Sequence, residues 1–359
     1  MNLYKLICRP FLFLLSPESS HHLAIIALKI ARVPLISTII TAVYCKHDKT
    51  LQVKTLGLSF SNPIGLAAGF DKNGVAVAGA RALGFGYVEV GTVTPLPQPG
   101  NSGMRLFRIK RSLGLQNRLG FPNVGVKAVK RSLKKLKRNG YVVGISIGKG
   151  VSTPLDNAAG DYITCLEELY EEGDYFAINV SSPNTSGLRN LQNKTYLSEL
   201  CKTLMDRSAE LAQMHSIYVR PLLIKISPDL TDSEIDDVLE VAINTGISGI
   251  IATNTSTSHV EHFGATPGMG GVSGKPISKR STEVVRYISQ KASARLILIA
   301  AGGIFSSEDA LEKLDAGADL LQIYTGLVYE GPSLTSKINR GLLKSGRFST
   351  ASKLATKSG

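Results

Sequence analysis

Two lysines and four asparagines carry the clearest chemical signal in this 359-residue chain. Lys72 and Lys225 each follow or end a short apolar run. A cation drawn into an apolar interior costs several kcal/mol unless an anion offsets it. Such lysines therefore point to a bound anion, a carboxylate or a reduced flavin, or alternatively to structural ion pairs with internal acids. Asn117, Asn179, Asn184 and Asn254 each offer a donor and an acceptor. Together they suit a small planar ligand with alternating C=O and N–H groups, such as a pyrimidine. Singly, each is also an ordinary turn residue.

Glycines add a second kind of chemistry. Gly302-Gly303 and Thr325-Gly326 supply bare backbone that can approach phosphate oxygens at a helix N-terminus. The tract Gly270–Gly274 could add donors, but Met269 and Pro276 break any GxxxxGK spacing. Gly84-Phe85-Gly86 lacks the third glycine of a dinucleotide fingerprint and precedes a strand. A mononucleotide with one phosphate fits better than NAD. Gly144-Ile145-Ser146-Ile147-Gly148 matches the GxSxG of serine hydrolases, but Lys149–Pro154 does not read as an immediate helix. The late histidines His215, His259 and His262 sit beside no obvious strand-end acid. No metal-ligand spacing occurs, so no protein-bound metal is expected.

The elements that would position these residues follow a rhythm. Short β-branched runs alternate with longer amphipathic stretches from Leu51 onward. The pattern predicts strands at Pro63–Ala67, Tyr87–Val90, Val142–Ile147, Tyr175–Val180, Leu222–Ile226, Gly249–Ala252, Leu296–Ala300 and Leu320–Ile323. Eight such strands imply an α/β fold, a (β/α)₈ TIM barrel. Polar or glycine residues stand at all eight strand ends: Ala68, Gly69 and Lys72; Thr92; Ser146; Asn179, Ser181, Ser182 and Asn184; Lys225; Thr253, Asn254 and Thr255; Gly302 and Gly303; Tyr324, Thr325 and Gly326. In a barrel these positions converge at the C-terminal mouth, where ligands bind.

The first 45 residues differ. Met1–Leu15 is apolar but broken by Lys5 and Arg9, Pro17-Glu18-Ser19 restarts a helix, and Val33–Tyr44 is a third apolar stretch. None reaches the roughly 20 uninterrupted apolar residues of a spanning helix, and no small-residue cleavage site follows Phe11–Leu15. These segments read as amphipathic helices lying on a membrane, with Arg9, Lys29 and Arg32 reaching the headgroups. The alternative is an arm packed on its own domain or on another subunit. The net charge of +13 is uneven, with no Asp or Glu between Glu89 and Asp156. Inside that gap a basic helical run covers Lys127–Arg138. It reads as a surface for anionic lipid or as a solvated helix face; no aromatic-interleaved motif supports nucleic acid. Cys8, Cys45, Cys165 and Cys201 form no CxxC pair and are expected as reduced thiols.

Several long motifs resemble the dihydroorotate dehydrogenases of the membrane-bound, quinone-linked class. They are Asn62–Lys72 (NPIGLAAGFDK), Gly91–Pro95 (GTVTP), Asn117–Phe121 (NRLGF), Asn179–Arg189 (NVSSPNTSGLR), Ile251–Thr255 (IATNT) and Gly270–Gly274 (GGVSG), in the expected order between Leu51 and Pro332. The resemblance implies oxidation of (S)-dihydroorotate to orotate in pyrimidine biosynthesis, with electrons passing through one FMN per chain to a membrane quinone. It implies Ser182 as the base removing the C5 proton, while hydride leaves C6 for flavin N5. A serine is a weak base, so a water or threonine relay is needed. Thr185–Asn190, hinged at Gly187, would close as a lid. Lys72, Asn117, Arg118, Leu119, Gly120, Phe121, Asn179, Asn184, Asn254 and Thr255 match substrate positions. Ala68, Gly69, Lys72, Thr92, Ser146, Asn179, Lys225, Thr253, Ser273, Gly274, Gly302, Gly303, Tyr324 and Thr325 match FMN positions. His21, in a segment resembling the quinone tunnel, and Arg108 match polar positions near the quinone.

The implied organisation is a helical quinone and membrane arm over residues 1–48, an FMN barrel over 49–341 and a polar tail over 342–359. A monomer is expected, peripheral to the cytoplasmic face of the inner membrane, with no nucleic-acid partner. Two positions depart from the family. Ser146 stands where an asparagine is usual, which implies a water in the gap or a small change in flavin potential. Phe70 replaces a common leucine.

Overall fold

The computed structural model describes residues 3–45, 48–185, 187–292 and 295–348. Eight parallel strands close a barrel in chain order. They are β1 (Ile64–Leu66), β2 (Tyr87–Val93), β3 (Val142–Ile147), β4 (Tyr175–Asn179), β5 (Leu222–Ile226), β6 (Gly249–Ala252), β7 (Ile297–Ala301) and β8 (Leu320–Ile323). Pairing of β8 with β1 completes the ring. The TIM-barrel expectation therefore holds. All eight predicted strands exist, four with the expected bounds and four with ends shifted by one to three residues. The largest shift is in β2, which runs to Val93 rather than ending at Val90. An irregularity between Val90 and Val93 lets pairing resume at Val93 with Ile147, so Thr92 lies within the strand.

The barrel lumen is filled in layers. Gly65 and Gly144 leave room for the rings of Tyr87 and Tyr175: a Cβ would fall 2.2 and 2.0 Å from them. Both phenols are fully buried and bonded, Tyr87 to the Leu321 carbonyl at 3.0 Å and Tyr175 to Glu89 at 3.0 Å. A hairpin, Val53–Thr55 with Leu58–Phe60, closes the N-terminal end, its Phe60 ring 5.1 Å from Tyr87. The other end is covered by a small antiparallel sheet of Leu106–Ile109, Gly114–Asn117 and Gly271–Gly274. Two of its strands form a short hairpin, and the third joins them from more than 150 residues further along the chain, a pairing that no local pattern marks.

Helices surround the barrel where apolar periodicity predicts them. Helix α8 (Asp232–Thr245) starts in a Thr231–Glu234 capping box and ends at Gly246. Helix α5 (Val126–Lys134) is shorter than the basic run Lys127–Arg138. Like charges one turn apart weaken its continuation, and Asn139-Gly140 adopt positive φ just beyond. Helix α12 (Leu334–Lys344) crosses residue 341 and buries Leu342. Most of the expected tail, residues 349–359, lies outside the described residues.

The amino-terminal arm comprises α1 (Arg9–Leu14), α2 (Pro17–Ile30) and α3 (Pro34–Tyr44). Its inner side is docked on the barrel. Tyr4 donates to the Val328 carbonyl at 2.7 Å, and Lys5 pairs with Glu330 at 2.6 Å. Arg9 turns inward to the Tyr329 carbonyl at 3.2 Å, correcting its expected role at the headgroups. That carbonyl lies in the last turn of α11 (Thr325–Glu330), where backbone acceptors lack helical partners and attract cations. α2 passes so close to α4 (Val77–Ala82) that a Cβ on Gly79 would meet the Leu28 carbonyl at 2.4 Å. The outer side is apolar. Thirteen exposed large hydrophobic side chains lie between Leu3 and Val43, against eight in all the other described residues. No described helix alone is long and apolar enough to cross a membrane; α2 and α3 pass that test only as a pair bent by 108°.

Candidate active site

Strand ends bring the chemistry-bearing residues to one cavity at the C-terminal mouth. Ala68, Gly69, Lys72, Thr92, Asn117, Leu119, Gly120, Phe121, Asn179, Ser182, Asn184 and Lys225 line it. Thr253, Asn254, Thr255, Ser273, Gly274, Gly302, Gly303, Tyr324 and Thr325 complete the ring. Four sequence-derived candidates stand elsewhere: Arg118, Ser146, His21 and Arg108.

An amide network spans the cavity. Asn179 Nδ2 donates to Thr92 Oγ1 at 2.8 Å, and Asn184 Nδ2 donates to Asn117 Oδ1 at 2.9 Å. Asn254 Nδ2 donates to Ser181 Oγ at 3.0 Å. Thr253 Oγ1, Thr255 Oγ1 and Asn184 Oδ1 are buried without a protein partner. Such atoms are costly unless a ligand or water meets them. Ser182 is buried, and its Oγ accepts from the Asn184 N–H at 3.3 Å. Three residues on, Thr185 holds another buried, unpartnered hydroxyl.

The two lysines differ. Lys225 lies 3.3 Å from Glu89 and 3.5 Å from Gln322, and Gln322 Nε2 donates to the same carboxylate at 2.7 Å. The structural ion pair left open by the sequence thus exists for Lys225, directly beneath the mouth. Breaking such a buried pair costs roughly 3–5 kcal/mol. In the sequence, Glu89 is marked for this role only by being a lone acid inside an apolar strand. Lys72 has no acid in direct contact among the described residues. Its Nζ lies 3.2 Å from His21 Nε2, at the foot of the arm. Burial pulls the Lys72 ammonium down to about 8 against the pull of Asp71 and Glu18. Burial, then the Lys72 charge, pushes the His21 imidazole down to about 3, so it is neutral at physiological pH.

Gly302 and Gly303 form a backbone cradle with φ of 111° and 78°. A Cβ on Gly303 would fall 2.3 Å from Ser278, so only glycine fits that position. Opposite, Ser273 Oγ and Thr325 Oγ1 are 2.8 Å apart.

The outlying candidates have other partners. Arg118 donates to the Met104 and Ser102 carbonyls at 3.0 Å each, holding a surface loop. Ser146 is fully buried, and its Oγ lies 2.9 Å from Thr92 Oγ1, continuing the Asn179–Thr92 chain. A hydrolase nucleophile must be exposed on a strand-to-helix elbow, which excludes that rival. Arg108 donates to the Leu15 and Leu12 carbonyls and to Ser20 Oγ, with its guanidinium 4.4 Å from the Phe13 ring centre. Arg189 ends the Asn179–Arg189 motif. It pairs with Asp229 at 3.0 Å and donates to the Thr255 carbonyl at 3.2 Å, bracing the loop after Ser182.

A closed parallel barrel whose eight strand ends converge on one polar, glycine-backed cavity defines a (β/α)₈-barrel enzyme. A family model, Dihydroorotate dehydrogenase, matches residues 50–345. A protein of Christiangramia forsetii named dihydroorotate dehydrogenase (quinone) is 44% identical, covering 96% of this chain and all of its own. Proteins of the same name from Vibrio parahaemolyticus and Chloroflexus aurantiacus are 45% and 46% identical, each over 95% of this chain and 100% and 96% of their own. The crystal structure of DHODH from Eimeria tenella in complex with ferulenol superposes with a TM-score of 0.83 at 33% identity, covering 92% of this chain and 91% of that one. The ligand-free form gives 0.82. The chain belongs to the dihydroorotate dehydrogenase family.

Proposed function

We propose that this protein oxidises (S)-dihydroorotate to orotate in pyrimidine biosynthesis, with FMN in the barrel mouth and a membrane quinone as electron acceptor. The observation carrying this reading is the cluster of four asparagine amides, buried unpartnered hydroxyls and Ser182 around one cavity. The residues fit FMN. Gly302 and Gly303 offer a backbone cradle suited to its phosphate, Thr253 an unpartnered hydroxyl, and Lys225 a fixed cation. When bound, FMN supplies the two-electron acceptor that takes the hydrogen leaving C6 and is reoxidised by quinone.

Every other task falls to the chain. Lys72 holds the substrate carboxylate, and Asn117, Asn179, Asn184 and Asn254 read the alternating ring amides. Ser182 Oγ takes the C5 proton; the Asn184 N–H on that oxygen stabilises charge developing there. Thr185 is the relay for the serine's own proton, and the segment Thr185–Asn190, of which Ser186 lies outside the described residues, excludes water. Glu89 and Gln322 keep Lys225 aimed at the mouth. The arm lies on the cytoplasmic face of the inner membrane with its apolar side in lipid, and His21 and Arg108 stand on the quinone's path to the mouth.

The test is anaerobic. Protein purified in mild detergent should show a flavin band near ~450 nm that bleaches with dihydroorotate and returns with quinone. Bleaching without return would remove the quinone role. A colourless protein that cannot be reconstituted with FMN would overturn the reading.

A further inference from the structure

We infer that the basic stripe of α5 docks on the headgroups of an anionic phospholipid bilayer and so sets how the arm meets the membrane. The inference rests on the proposal that the arm lies on lipid, and it names the lipid class. Lys127, Arg131 and Lys135 follow one another at four-residue spacing, so they form one stripe on α5 and its C-cap. All three are exposed, and none has an acidic partner among the described residues. Their neighbours Lys130 and Arg138 are already paired, with Glu168 and Asp174. The stripe is therefore uncompensated, in a stretch of sequence with no acid from Val90 to Leu155.

Position decides what that charge is for. Ala128 and Ser132 of α5 line a groove whose other wall is Leu23, Ile25 and Lys29 of α2. On the helical wheel Arg131 and Lys135 flank the groove-facing residues of α5 on one side. Across the groove, Leu23, Ile26 and Ile30 of α2 are exposed. Cationic side chains bordering an exposed apolar helix face are the signature of a surface that inserts apolar groups while pairing with lipid phosphates. A nucleic acid would meet the charges but leave the adjoining apolar face in water.

Vesicle flotation of the full-length, flavin-loaded protein tests this. The probes are vesicles of phosphatidylcholine alone and with phosphatidylglycerol added. The wild type should favour the anionic vesicles by about tenfold or more, and the preference should shrink as salt rises. Lys127→Gln/Arg131→Gln/Lys135→Gln should lose most of the preference while keeping its binding to neutral vesicles and its dihydroorotate oxidation with a soluble acceptor. Lys202→Gln/Lys279→Gln/Lys337→Gln removes as much charge from exposed positions on other helices and should behave as wild type. An undiminished preference in the stripe variant overturns the inference. So does an equal loss in the control variant, or a stripe variant that loses only binding to a labelled DNA duplex. Absence of binding to either vesicle would instead remove the membrane reading beneath it.

Discussion

In the proposed mechanism Ser182 carries the heaviest chemical demand, because a serine hydroxyl is a weak base at neutral pH. Ser182→Ala should slow flavin bleaching by dihydroorotate by about 10²–10⁴-fold, the usual reach of general base catalysis, with the oxidised flavin spectrum unchanged. Stopped-flow absorbance reads this directly, and wild-type bleaching in the variant would remove Ser182 from the mechanism. Lys72 gives a pH dependence. Held near 8 by burial, it is cationic below that pH and neutral above, while His21 stays neutral throughout. Binding of the orotate carboxylate should be strong below pH 8 and weaken as pH rises past it. Calorimetric titration from acid to alkaline pH should show the dissociation constant rising in the wild type and flat in Lys72→Met; a flat wild type would count against Lys72 as the carboxylate's partner.

Elements place these side chains by mutual support rather than by their own propensities. β1 has only three residues, yet its neighbours β8 and β2 hold it in register. The loop after β4 keeps its shape because Arg189 ties it to Asp229 and to the backbone after β6. Among the arm's attachments the tightest backbone approach is Leu28 of α2 over Gly79 of α4. Gly79→Val would drive a side chain into the Leu28 backbone, an overpacking of the kind that costs about 1–3 kcal/mol. The expected result is a barrel that still bleaches with dihydroorotate but turns over more slowly with quinone. Equal loss of both half-reactions would mean that α4 itself, and not arm docking, is what the substitution damages.

The whole molecule divides its labour between a closed barrel and an arm with two faces. Barrel closure buries the Tyr87, Tyr175 and Glu89 layers without help from the arm. Removal of residues 1–47 should therefore leave a folded, yellow protein that dihydroorotate reduces. Reoxidation by quinone and flotation with vesicles should be lost together. Quinone turnover persisting at the full-length rate in the truncated protein would show that the barrel alone presents the acceptor site.

Much of this was legible in the amino-acid sequence. Eight β-branched runs with polar or glycine ends determined the barrel and most of its mouth. Strand alternation and chain order suffice to send consecutive strand ends to one rim. Broken apolar helices likewise marked the arm. What only the tertiary structure decided is which partner each polar group takes. Lys225 finds Glu89 from a strand 136 positions away, Arg108 holds the arm's carbonyls, Arg118 turns to a surface loop, and Ser146 completes the Thr92 chain. The small sheet over the mouth joins strands from distant parts of the chain. Local pattern reports which face of an element is buried. The identity of a charge's or amide's neighbour depends on ring closure and on contacts that no spacing along the chain encodes.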